Sequence, residues 1–476
     1  MIRSRVCVVV VCVGAGLTGI GCGGGSTSIK LVPASSNQQQ NVMVIDEGID
    51  LSVSDLQGRV AAAYTETCAD DSSGSGGSSD AASPPAIGPD AGAAFTTLKQ
   101  QFIAELSQPD DSCDLKTGIS GKPDPLASID QYKARWNAMV RANEMINEAF
   151  TQTEFNQLQG PLDKELMSFG YHGTATSTTV AHENPNVRLV LVERELGSEE
   201  SLTTNFPCIA QSDIDQLVDL LDDPQVYAAF VSQPAQIDAK ISEAQTTYDV
   251  GIVNESFGAA SRQTLEMLQL ANCPTPVDLS AYFALIDKAT NDHNATIGGP
   301  PVLTVQAGGN DGVEIDTGAD SLSCDLGDPK ALLVGSYNPG TLARNTFSNY
   351  GACVSLYAPG QAIAVEYAGG WLLPADGTSF ASPLTARYTS MDTSVPTPFD
   401  PATARTAVLS ASDPTTQFLP VSLFPADLFY TPFQVMTDFV VPLAVLPAAK
   451  AQRPLTKYEL HRVLGPLDRF KRLLGR

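Results

Sequence analysis

Short apolar runs closed by polar or glycine-rich turns recur along this chain of 476 residues. "NVMVIDEGID" (41–50) is such a run and reads as a buried strand. "NVRLVLVE" (186–193), "DVGIVNESFG" (249–258) and "PPVLTVQAGGNDG" (300–312) repeat the design. "KALLVGSY" (330–337) and "ACVSLYAPG" (352–360) are also strand-like. Between them apolar residues return at helical spacing. Residues 127–159 put Ile129, Trp136, Met139, Val140, Met145 and Ile146 on one helical face. Further helices are predicted at about 212–222 and 234–248, in two stretches before residue 300, and from Gly377 onward. Strands that alternate with helices predict an α/β fold, with a mostly parallel sheet covered on both faces. Ligands of such sheets bind beyond the carboxyl ends of the strands, so the strand-end turns are where chemistry is expected.

The ends and one internal stretch break this pattern. Residues 1–22 read as an export signal, with Arg3 and Arg5 ahead of an apolar run too short to span a membrane comfortably. "TGIGCGGGSTS" resembles a bacterial lipobox, which makes Cys22 the candidate for lipidation. Gly19 departs from the Leu-like residue usual there, and ordinary signal cleavage near the same place is the alternative. Residues 23–40 are a Gly/Ser/Asn/Gln tether. Residues 69–94 are of low complexity and read as a loop. Beyond residue 395 the chain continues as an extension, 396–476, ending in a basic segment. "LTKYELHRVLGPLDRFKRLLGR" is expected to form an amphipathic helix. It would lie on an anionic membrane, on the acidic body of the protein, or in solvent.

Charge and cysteines narrow the setting. A formal net charge of −25 repels phosphate backbones, so nucleic acid is excluded as the expected partner. Of nine cysteines, Cys7 and Cys12 fall in the signal and Cys22 is the candidate anchor. The other six, Cys68, Cys113, Cys208, Cys273, Cys324 and Cys353, suit disulfides in an exported protein. Sequential pairing is one of their many combinations, and buried free thiols are the alternative. No zinc spacing is present, since His182-Glu183 lacks the second His of HExxH.

Three turns carry the residue types of an acyl-transfer site. Asp46 closes the first strand, His172 stands in "GYHGTATS" before a predicted helix, and Ser379 stands in "DGTSFASP". A serine hydroxyl needs an imidazole to take its proton, and the imidazole needs a carboxylate to fix its tautomer and stabilise its cation. Asn310 in "AGGNDG" offers an amide donor for the oxyanion of a tetrahedral intermediate. Each turn also has a plainer reading. Thr378-Ser379 after Asp-Gly is a common helix start, His172 suits a helix cap, and Asp46 suits a turn.

"VMVIDEGID", "HGTATS", "GGNDG" and "GTSFASP" occur in the order Asp, His, Asn, Ser, and together they resemble the subtilisin-like serine peptidases, the subtilases. "IVNESFG", "FSNYGACVSLYAPG" and "PNVRLVLVE" match that family's flanking segments, and the resemblance covers about 41–60 and 165–390. It implies a subtilisin-like, doubly wound, mostly parallel sheet flanked by helices. The peptidase domain would occupy 41–395, with a long insertion of about 61–160 between the Asp and His motifs. It also implies a serine endopeptidase acting through an acyl-enzyme, without an organic cofactor. Ser379 would be the nucleophile, His172 the acid–base, and Asp46 its orienting carboxylate. Asn310 would share the oxyanion hole with the Ser379 N–H. Ser256, Phe257, Gly258, Gly308 and Gly309 would bind the substrate backbone and wall the first specificity pocket. Polypeptides would be the partners, and the cell envelope, by way of Cys22, or the exterior would be the location.

Departures from the family pattern are local. Ala175 replaces a second His, Phe380 replaces Met, and Leu384-Thr385 follow Pro383. The insertion reads as surface decoration or as a lid. The stretch from Cys22 to the first strand is too short for a folded inhibitory pro-domain, so no conventional amino-terminal autoprocessing is expected. Asp311, Glu314, Asp316 and Asp320 supply the oxygen ligands calcium takes, and they also read as a solvated acidic loop. A single Asp-Thr-Gly (316–318) cannot make an aspartic dyad, and no GxSxG elbow is present. The alternative function is a binding or scaffolding protein of the envelope, on the same fold with decayed activity.

Overall fold

The structure is a computed structural model. It describes residues 40–68, 91–107, 113–119, 172–194, 208, 210–256, 273, 275, 277–310, 312–316, 330–367, 371–392, 394–395, 398–429 and 465–473. Its centre is a sheet of nine strands: β1 (Asn41–Glu47), β2 (Val60–Cys68), β3 (Cys113–Thr117), β4 (Arg188–Arg194), β5 (Val250–Glu255), β6 (Leu303–Ala307), β7 (Ala331–Asn338), β8 (Ala343–Arg344) and β9 (Leu356–Pro359). The spatial order is β3-β2-β4-β1-β5-β6-β7-β8, with β9 also on β7. All neighbours are parallel except the pairs at the margins, β2–β3 and β7–β8. A hairpin of β10 (Ile363–Tyr367) and β11 (Trp371–Ala375) stands apart.

The helices are α1 (Ala91–Leu106), α2 (His172–Ala181), α3 (Gln211–Leu221), α4 (Pro224–Thr247), α5 (Ser280–Ile297), α6 (Thr378–Met391), α7 (Pro401–Ala411) and α8 (Gly465–Leu473). Side chains alternate across a strand, and the two faces of β1 divide accordingly. Val42 and Val44 join Leu191, Ile252, Val305 and Val334 against α2, α6 and α7. Met43 and Ile45 join Val190, Val192 and Val253 against Ile237 and Ile241 of α4 and Ile297 of α5. Both faces are covered, which explains why these strands read as continuous apolar runs.

Sheet order also locates the site. β1 lies between β4 and β5. The chain builds β2 and β4 on one side of β1 and then crosses to build β5, β6 and β7 on the other. The carboxyl end of β1 is therefore the switch point of the sheet, where such folds bind ligands. Asp46 is there.

Several boundaries differ from expectation. The segment assigned to an insertion from residue 61 begins inside the sheet, because β2 pairs with β4. β2 does not stand out in the sequence because "VAAAYTETC" is small and polar and pairs near the sheet margin. The helix predicted at 234–248 starts at Pro224 and runs through Pro234. Its true start is the Asp223-Pro224 pair, where the Asp223 carboxylate accepts from the N–H groups of Gln225 (2.9 Å) and Val226 (3.4 Å). The body expected to end at 395 continues beyond it, since Ala404, Val408, Leu419, Phe424 and Leu428 belong to the core around α2 and α6. The 127–159 helix lies outside the described residues.

A second core joins the segments that sequence left unattached. Phe102 and Leu106 of α1 pack with Leu217 and Leu221 of α3, Phe230 of α4, Tyr282 and Phe283 of α5, and Leu467 and Phe470 of α8. The Phe102 and Phe470 rings meet edge-on, 5.7 Å apart, and Arg469 Nη1 donates to the Leu106 carbonyl. The basic carboxyl-terminal helix thus lies on the protein's own α1, with its apolar face buried. Among the described residues no helix is long and apolar enough to cross a membrane. Cys208 and Cys273 form a disulfide beside this core. Cys113 and Cys353 are also disulfide-bonded, and Cys113 stands opposite Cys68 across β2–β3.

Candidate active site

Alternation along β1 turns Asp46 to the face of Val42 and Val44, the face on which α2 and α6 lie. His172 is the first residue of α2, and its Nδ1 is 2.7 Å from Asp46 Oδ1. Both residues are buried. Asp46 Oδ1 also accepts from the Glu47 N–H (2.8 Å), and Oδ2 accepts from the Thr176 hydroxyl (2.8 Å). An aspartate ringed by donors acts as acceptor, so Nδ1 of His172 carries a proton, and in the neutral ring Nε2 holds the lone pair.

Local packing explains the His-Gly-Thr sequence. A side chain at Gly173 would put its Cβ 2.6 Å from the Glu47 carbonyl oxygen and 2.7 Å from Ile49 Cγ1, so only glycine lets α2 start against the end of β1. Thr174 then caps that junction, its hydroxyl donating to the Gly48 carbonyl (2.9 Å) and accepting from the Asp50 N–H (2.7 Å). Glu193 on β4, which sequence reasoning missed, pins the same turn. It accepts from the Ile49 N–H (2.9 Å) and the Thr65 hydroxyl (3.1 Å). Burial raises the Glu193 carboxyl above its ordinary range, against the pull of these two donors.

Ser379 is the second residue of α6. Gly377 ahead of it has φ 154° and ψ 156°, a conformation suited to glycine. It has no side chain with which to cap α6. Asn310 caps the helix instead: its Oδ1 accepts from both the Thr378 N–H and the Thr378 hydroxyl, each at 2.9 Å. This fixes the amide with Nδ2 turned away from the helix end. Asn310 Nδ2 and the Ser379 backbone N are each 3.6 Å from the position a Cβ on Gly377 would take. Two nitrogens, one from the turn after β6 and one from the start of α6, thus flank Gly377. Thr378 Oγ1 also accepts from the Gly309 N–H (3.2 Å).

Phe380 packs beside the catalytic-type pair, its ring centroid 5.6 Å from that of His172. This departure from the family sequence therefore touches the imidazole itself. Ala175, Leu384 and Thr385, the other departures, are buried in helix packing. The Ser382 hydroxyl donates to Asn254 Oδ1 (2.8 Å), and Asn254 Nδ2 donates to Ser256 Oγ (2.8 Å), tying α6 to the end of β5. Pro383 lies inside α6. Lacking an N–H, it supplies no intrahelical donor to the Ser379 carbonyl.

Asp46 and His172 are bonded to each other, Asn310 is bonded to Thr378 next to Ser379, and the Phe380 ring that follows Ser379 reaches His172; Ser256, Gly308 and Gly309 follow the ends of β5 and β6. Cys22, Phe257, Gly258, Asp311 and Asp320 lie outside the described residues. Glu314 and Asp316 are exposed, and Asp316 Oδ1 accepts from the Ala352 N–H. Among the described residues no acidic, His or Cys cluster has metal-holding geometry. Thr176, four residues after His172 on the same helix, is a neighbour that sequence reasoning also missed.

A sequence model of the subtilase family (peptidase S8) matches residues 37–424. A stretch of 112 residues is 38% identical to a subtilisin-like protease of Coccidioides posadasii (strain C735), covering 23% of this chain and 26% of that relative. Another of 167 residues is 26% identical to alkaline serine exoprotease A of Vibrio alginolyticus, covering 31% of this chain and 30% of that relative. The matches thus span less than a third of these curated relatives. The crystal structure of a cold adapted subtilisin-like serine proteinase is similar at 17% identity and a TM-score of 0.35, over 80% of this chain and 88% of that one.

Proposed function

The chain belongs to the subtilase family, and from that premise we propose that it is a serine endopeptidase that hydrolyses polypeptides through an acyl-enzyme on Ser379. The observation that carries the reading is the buried 2.7 Å bond between His172 Nδ1 and Asp46 Oδ1, on the sheet face that also holds the Ser379 helix. His172 Nε2 takes the Ser379 hydroxyl proton as Oγ attacks the substrate carbonyl carbon. Asp46 holds the imidazole in the required tautomer and offsets its charge. The carbonyl oxygen, now negative, receives hydrogen bonds from Asn310 Nδ2 and the Ser379 N–H. When the tetrahedral species collapses, the amine leaves with the proton from Nε2. Water then repeats the sequence on the acyl-enzyme and releases the acid. Substrate backbone would align along the end of β5 at Ser256 and opposite Gly308 and Gly309. No step needs a cofactor, and export with a lipid on Cys22 would put the enzyme on polypeptides at the cell envelope.

A fluorophosphonate probe, which reacts with activated serines, tests the reading on the purified protein. Wild type should be labelled, and Ser379→Ala and His172→Ala should not. A folded wild type that stays unlabelled would overturn catalysis and restore the binding-protein alternative.

A further inference from the structure

The carboxylate of Asp46 is the pivot of the proposed mechanism, and its two oxygens are held differently. Oδ1 accepts from the Glu47 N–H and from His172 Nδ1. Among the described residues, Oδ2 has one donor, the Thr176 hydroxyl at 2.8 Å. Rotation about the last bond of an aspartate is soft and roughly two-fold, so donors on Oδ1 alone leave the plane of the carboxylate loosely set. A donor on Oδ2 fixes it.

Thr176 departs from the habit of its helix. Thr178 and Thr179 turn their hydroxyls back to the Ala175 carbonyl at 3.0 and 2.8 Å, the ordinary choice for threonine inside a helix. The corresponding acceptor for Thr176, the Gly173 carbonyl, is 3.3 Å away, farther than Asp46 Oδ2. A hydroxyl has one proton to give, and a charged acceptor at the shorter distance takes it. Thr176 is fully buried, so water cannot easily replace the hydroxyl once it is removed. It is also one helical turn from His172 on α2, so hydroxyl and imidazole reach the same carboxylate from one rigid element.

We propose that Thr176 is a positioning residue for the reaction, its hydroxyl holding the Asp46 carboxylate in the plane that keeps it aligned with His172 Nδ1. The inference rests on the reading of Asp46 and His172 as triad members. The test compares Thr176→Val, which keeps the branched shape and loses the hydroxyl, with Thr176→Ser, which keeps the hydroxyl and loses a methyl. The readouts are the second-order rate of fluorophosphonate labelling and the low-field proton resonance of the Asp46–His172 hydrogen bond. Val should slow labelling roughly tenfold, as expected for one bond to a charged group, and should move the resonance. Ser should restore the rate to within about threefold and leave the resonance in place. If Val does not fold, Thr176→Ala takes its place. Wild-type labelling and resonance in the Val protein, or a Ser protein as slow as Val, would overturn the proposal while leaving the triad reading intact. Ser379→Ala labelled as fast as wild type would remove the triad reading itself.

Discussion

Asn310 shows how much one side chain can settle. Its oxygen closes the start of α6, and its nitrogen, beside Gly377 as the Ser379 N is, is the proposed oxyanion donor. Asn310→Ala should therefore lower turnover of a peptide substrate about 10²–10³-fold in kcat, the size usual for one oxyanion donor. Substrate saturation should be little changed, because the bond forms fully only in the transition state. Steady-state kinetics of the two proteins check this. At this scale the sequence was readable where chemistry restricts the residue type: an Asp closing a strand, a His opening a helix, a Ser after Gly-Thr. The supporting groups were hidden. Thr176 is one threonine in a run of them, and only the register of α2 against β1 selects it. Glu193 resembles any acid at a strand end until β4 is placed beside β1.

Among elements, the central strands were legible because burial on both faces makes them apolar throughout. β2 and β3, toward one margin of the sheet, were not, because their residues are small, polar or only partly buried. In α4, Pro234 has the look of a helix start, although packing of Ile237, Ile241 and Ala244 on the sheet carries the helix through it. The amphipathic character of α8 was plain in sequence, but its partner was not. That partner is α1, whose Phe102 is covered by Phe470. Phe470→Ala should uncover α1 and speed amide hydrogen exchange across 91–106, with no change in fluorophosphonate labelling at Ser379. Faster exchange that came with lost labelling would mean that the helical layer and the site are one cooperative unit.

Taken as a whole, the molecule ties its late segments to its early ones through charge as well as packing. His182, after α2, reaches Asp55 through Nδ1 (3.0 Å) and Asp427 through Nε2 (3.2 Å). The hydrogen bond to Asp55 is the main cause of a raised His182 pKa, with the charges of Asp55 and Asp427 adding to it and burial opposing it. A base whose folded pKa is raised stabilises the fold fully below its unfolded value, about 6.5. That contribution is lost as pH rises through the folded value. Wild type should then exceed His182→Gln by up to about 1 kcal/mol in mildly acid solution, and the gap should close toward alkaline pH. Denaturant unfolding of both proteins across that range measures it. An alkaline gap as large as the acid one would rule out a charged clasp.

The docking of α8 on α1 also sets an order of events in the life of the chain. Arg469 and Leu106 are joined across a sequence separation of 363 residues. A ribosome therefore finishes every strand of the sheet, and Ser379 itself, before it makes the piece that covers Phe102. Until then Phe102 lacks its edge-on partner, while α3, α4 and α5 are already made and pack in the same core. The residues proposed for the reaction therefore all precede α8 in the order of synthesis.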